Sequence, residues 1–96
     1  MSHTTVVVFA KSEHEAQELV KLYVPCDDFL LEPTSDAALP SAFLTQDGDV
    51  ISEDYLAWNA PQSDTELHRR YERLFLAAQE EARTHGLTRF LAYCHS

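Results

Sequence analysis

Thr4–Ala10, TTVVVFA, is followed almost at once by Ser12–Tyr23, SEHEAQELVKLY, and the rest of the chain is read outward from this pair. An unbroken run of β-branched and aromatic residues predicts a strand covered on both faces or central in its sheet. Ser12-Glu13-His14-Glu15 is a capping box, in which the Ser12 hydroxyl accepts from the Glu15 amide and the Glu15 carboxylate reaches back. Acids in this first turn also face the positive end of the helix dipole. Ala16, Leu19, Val20 and Tyr23 recur at helical spacing and make one apolar face, and Pro25 stops the helix.

Further along, Phe29-Leu30-Leu31 predicts a second strand ended by Pro33, and Glu32–Ser41, with Pro33 and Pro40, predicts a loop. Ala42–Thr45 and Val50–Ser52 flank Gln46-Asp47-Gly48-Asp49, a hairpin signal, because glycine accepts a positive φ without a Cβ clash. Ser52 is placed to cap a short helical turn through Tyr55 and Trp58, ended before Pro61. Ser63-Asp64-Thr65-Glu66 is a second capping box. It opens the clearest helix, Asp64 to His85, with a stripe of Leu67, Tyr71, Leu74, Phe75 and Ala78 expected to face the sheet. Arg83 and His85 suit the negative end of that helix, and Gly86 suits its C-terminal cap. Leu87–Cys94 predicts a final strand.

This order implies an α+β fold: a small antiparallel sheet with two helices on one face, in ferredoxin-like βαββαβ order with the hairpin as an addition. The alternative is an open three-layer α/β sheet. In the ferredoxin-like order the first and last strands are antiparallel neighbours and the second lies at the far edge.

The chain has 96 residues, 45% hydrophobic and 24% charged, which points to one domain over residues 1–96 and argues against disorder. No apolar run approaches a membrane span, and the start lacks a secretory signal, so a cytoplasmic protein is expected.

Charge is unevenly placed. Leu22–Glu66 holds ten Asp and Glu and no Lys or Arg, while the formal charge of the whole chain is −9. Such a field repels phosphate and anionic lipid, so neither direct nucleic-acid binding nor membrane binding is expected. It attracts basic protein surfaces and speeds association with them, although it also serves solubility alone.

Few residues are spaced for chemistry. His14-Glu15 lacks a second imidazole at position 18, which is Glu18, so there is no HExxH pattern. Cys26 and Cys94 form no CxxC, and the expected strand order holds Cys26 too far from His3, Cys94 and His95 for a shared metal site. Cys26 precedes Asp27 and Asp28, whose charge disfavours a thiolate nucleophile. Only Gly48 and Gly86 are present, which excludes glycine-rich phosphate cradles. No catalytic residue, metal or cofactor is therefore expected.

The reading that remains is a non-enzymatic acidic binding protein that occupies a basic, nucleic-acid-binding type of surface on a partner, an inhibitor acting by charge mimicry. Its candidate contact residues are Asp27, Asp28, Glu32, Asp36, Asp47, Asp49, Glu53, Asp54, Tyr55 and Trp58. Aromatic residues beside acids are typical of interface hot spots, although a lone tryptophan more often plugs a core. In size and charge the chain is similar to small inhibitors of phages and mobile elements, such as anti-CRISPR proteins, and to antitoxin or immunity proteins; no motif carries that likeness. The alternatives are a ferredoxin-like homodimeric enzyme using His14, His68 or His85 as acid–base group, and a subunit docking through its long Arg-bearing helix.

Overall fold

The computed structural model describes residues 3–34, 38–59 and 63–95. Its elements run β1 (His3–Ala10), α1 (Glu13–Tyr23), β2 (Asp28–Pro33), β3 (Ala42–Leu44), β4 (Val50–Ser52), α2 (Glu53–Asn59), α3 (Asp64–Thr84) and β5 (Thr88–His95). The class is α+β, with one open five-stranded sheet in the order β2-β5-β1-β3-β4.

β1 explains why its sequence is apolar without interruption. Successive side chains alternate between faces. Val6, Val8 and Ala10 join α1 residues Ala16 and Val20 in one buried cluster. Val7 and Phe9 join Leu56 of α2 and Tyr71 and Phe75 of α3 in the other. Helices therefore cover both faces of the sheet, as in the three-layer alternative, rather than one.

The sheet is also mixed rather than antiparallel. β1 pairs antiparallel with β5, as expected, but parallel with β3. The ferredoxin-like order is not confirmed, because β2 lies beside β5, pairing Phe29 with Cys94. β5 thus separates β2 from β1. The connection from β2 to β3 is tied down by Tyr71 Oη donating to Pro40 O at 2.6 Å, Arg89 Nη2 donating to Ala38 O at 3.0 Å and the Ser41 amide donating to Thr5 Oγ1 at 3.0 Å.

Local signals were followed closely. The Glu15 and Glu66 amides donate to Ser12 Oγ and Ser63 Oγ at 3.2 and 3.3 Å. Glu15 reaches back to the Lys11 amide at 3.4 Å. In the hairpin, Gly48 N donates to Thr45 O and Thr45 N to Asp49 O. The Thr45–Asp49 bond leaves Gln46, Asp47 and Gly48 as a three-residue loop and not a two-residue primed turn, with Gly48 at a positive φ of +90°. The Tyr23 ring lies over Gly48, so a Cβ there would fall 2.7 Å from Tyr23 Cε1.

On α3, Tyr71, Phe75 and Ala82 are buried, with Leu67 and Ala78 packed against the same cluster. Leu74 departs from the expected stripe and is 39% exposed. It stands about 100° round the helix from Phe75, and Phe75 is the one that fits between Phe43 and Phe9, with ring centroids at 5.5 and 6.4 Å.

Candidate functional site

α2 is placed by its cap. Ser52 ends β4, and its Oγ accepts from the Tyr55 amide at 3.1 Å. Seven residues make fewer than two turns, so one side chain anchors the helix. That residue is Leu56, 4% exposed against the α3-side core. Trp58 follows two positions later, about 200° round the helix axis, and so faces away. It is 90% exposed, which corrects the expectation of a core plug; the plug is Leu56, a residue the sequence pattern did not single out. Tyr55, about 100° from Leu56 in the other sense, is exposed in part. Asp54, Tyr55, Ala57 and Trp58 line one shallow surface depression.

Glu53 joins α2 to α3, with its Oε1 3.1 Å from His68 Nδ1. Its charge also bears on Tyr71. Burial first, and Glu53 second, hold the Tyr71 phenol well above its ordinary range, so it remains a neutral donor to Pro40 O.

The structure separates the candidate acids into groups. Asp27, Asp28 and Glu32 lie at or on β2, one edge of the sheet. Glu53 and Asp54 follow β4, the opposite edge, roughly 19 Å away at four strand spacings. Asp47 and Asp49 flank Gly48 in the β3–β4 turn, at the other end of β4 from α2. Asp28 Oδ1 accepts from the Phe29 amide at 2.9 Å, and Glu32 Oε1 from Tyr93 Oη at 3.1 Å. Asp36 lies outside the described residues. Glu53, Asp54, Tyr55 and Trp58 share one short helix, and they alone combine acids with exposed aromatic rings among the candidates.

Other cavities lie elsewhere, and one of about 350 Å³ between α1 and the end of α3 is lined by His85 beside Lys11, Glu15 and Tyr23. A groove of about 350 Å³ runs between α3 and the hairpin, walled by Phe9, Phe43, Ile51, Leu74 and Ala78. The sequence did not announce it, and none of the three candidate histidines lines it. His85 Nδ1 lies 2.8 Å from Glu81 O at the end of α3, a helix-terminal role.

Another cavity, about 330 Å³, opens where β1 begins and is lined by Cys26, Cys94, His95, Ser52 and Asp54 among others. Here the expected separation of the cysteines is corrected. With β2 beside β5, Cys26 packs against the apolar cluster that holds Cys94, and both line this cavity. Burial, and then the Cys26 side chain, push the Cys94 thiol up to about 12, so it is a protonated thiol and not a standing nucleophile.

Among the described residues no group of three or more His, Cys, Asp or Glu is placed to hold a metal ion. No helix among them is long and apolar enough to cross a membrane. No family model, curated protein or solved structure matches the chain.

Proposed function

We propose that this protein is a non-catalytic binding module whose α2 surface occupies a basic surface of a partner protein, in the manner of an inhibitor that mimics nucleic-acid charge. The observation that carries this reading is Trp58, 90% exposed beside Asp54 on a helix already anchored by Leu56. A tryptophan contributes most to binding when it leaves water for a partner pocket, and the charges around it set orientation and approach. The −10 balance of Leu22–Glu66 supplies the long-range attraction, including from acids that never touch the partner. Asp27, Asp28 and Glu32 take this steering role, because the sheet separates them from α2.

The test is capture of partners from a lysate, followed by binding kinetics across a salt series with two variant sets. Asn or Gln at Asp47, Asp49, Glu53 and Asp54 should slow association and flatten its salt dependence. Trp58→Ala should leave association nearly unchanged and speed dissociation at least tenfold. A captured nucleic-acid-binding partner should also lose its nucleic acid as this protein is added. Unchanged kinetics in both variant sets would show that the acids serve solubility and that Trp58 is no anchor.

A further inference from the structure

We infer that Cys26 and Cys94 are a thiol-oxidation site that closes into an intramolecular disulfide when the protein meets a low-molecular-weight disulfide such as oxidised glutathione. They are the only two cysteines of the sequence, and they belong to elements far apart along the chain. The fold brings them together at one end of the sheet, in the same apolar cluster and on the same cleft. The backbone around them is clamped. Cys26 N donates to Val24 O, and Asp27 N to His95 O, both at 2.9 Å, so each neighbour of the bridge is fixed by a main-chain bond. A disulfide tolerates only a narrow range of Cα separations and side-chain directions, so the bridge also reports how closely this end of the sheet holds the pair.

The two thiols differ in a way that orders the reaction. Cys26 is partly exposed and lines the cleft, whereas Cys94 is 4% exposed. Asp27 and Asp28 disfavour the Cys26 thiolate, but Cys26 is the accessible thiol of the pair; it loses its proton to water and its Sγ attacks one sulfur of glutathione disulfide, that S–S bond breaks, and one glutathione thiolate leaves and takes up a proton. The Cys94 thiol loses its proton to water and attacks Cys26 Sγ of the mixed disulfide, expelling the second glutathione. The protein gives up two electrons and two protons, and glutathione disulfide becomes two glutathione thiols. Burial first, and the Cys26 side chain second, hold Cys94 protonated before the first step. The mixed disulfide removes the Cys26 contribution and leaves burial to oppose the second step.

The experiment uses the folded full chain in a glutathione redox buffer, then alkylation of free thiols, intact mass and thermal melting. The expected product is monomeric, lighter by two hydrogen atoms, free of glutathione, closed to alkylation and reversed by dithiothreitol. Its Tm should rise by roughly 10 °C or more, since a long loop is closed in the unfolded chain. Cys94→Ala should retain one glutathione on Cys26, and Cys26→Ser should take up none at Cys94. Should Cys94→Ala not fold, the wild type and Cys26→Ser decide the matter. A wild-type product that keeps glutathione, that links only between chains, or whose thiols both still alkylate overturns the inference.

Discussion

Phe75→Ala and Leu74→Ala, compared in the same urea melt, test the rotation of α3 on the sheet. Phe75 is 1% exposed; its ring meets Phe43 and Phe9, and the Arg89 guanidinium stands 5.2 Å from its centroid. Removing a buried phenylalanine costs about 3–5 kcal/mol, the larger values arising where the site cannot collapse. Here the walls are sheet backbone and two other rings, so a value near the top of that range is expected. Leu74 is 39% exposed on the groove wall, and its truncation should cost only about 1 kcal/mol. A domain of this size has a total stability of about 5–15 kcal/mol, so the first change removes a large share of it and the second does not. With a urea slope of about 1.5 kcal/mol per molar, the midpoints should fall by roughly 2–3 M and by under 1 M. Equal losses at an unchanged slope would refute the helix rotation, and with it the claim that α2 and α3 share one core beneath Trp58.

Gly48→Ala should cost about 1–2 kcal/mol from the positive φ alone, plus whatever is needed to displace the Tyr23 ring. In a double-mutant cycle, Tyr23→Ala should relieve the second part and leave the first, and full rescue by Tyr23→Ala would show that φ is not strained. Tyr71→Phe should change the alkaline limb of stability. The folded phenol titrates far above its ordinary 10.0. The stability it contributes is therefore complete below pH 10 and lost as pH rises further, when only the unfolded chain ionises there. Stability measured at several pH values above 10 should fall less steeply in Tyr71→Phe, by up to about 1.4 kcal/mol per pH unit. Identical slopes would mean that the phenol ionises freely in the folded protein.

Elements whose signals are local were legible in the sequence. Ser12, Ser52 and Ser63 each cap the helix expected of them, because a cap depends on residues two or three positions away. Both-face burial of β1 followed from its unbroken apolar run. Long-range pairing was legible only in part: β1 beside β5 was expected from the element order, but the neighbour of β2 was not. Nothing in Phe29-Leu30-Leu31 specifies β5 as its neighbour, and that single pairing moves Cys26 beside Cys94. Rotation within short or doubly apolar segments was equally hidden. Tyr55-Leu56-Ala57-Trp58 spans barely one turn, too little for a period to show which residue faces inward. Leu74-Phe75 offers two apolar candidates for one place, and the ring takes it. The acidic segment was visible as charge, but its division between two sheet edges depends on strand order, which charge does not encode.

The position of β5 has a consequence for how the chain reaches this structure. β5 is synthesised after every other strand, yet it lies between β2 and β1 and pairs with both along most of its length. Until residue 95 has emerged, β1 lacks one neighbour and β2 has none, so the sheet is completed only after all its other strands have been made. The pairing of His3 with His95 joins the most distant described positions of the chain, which puts the fold among those that gather by non-local contacts and do so slowly. In the interval, the apolar edge of β1 is open to other chains. Loss of residues 91–95 of β5 should therefore reduce soluble yield more than loss of any surface loop.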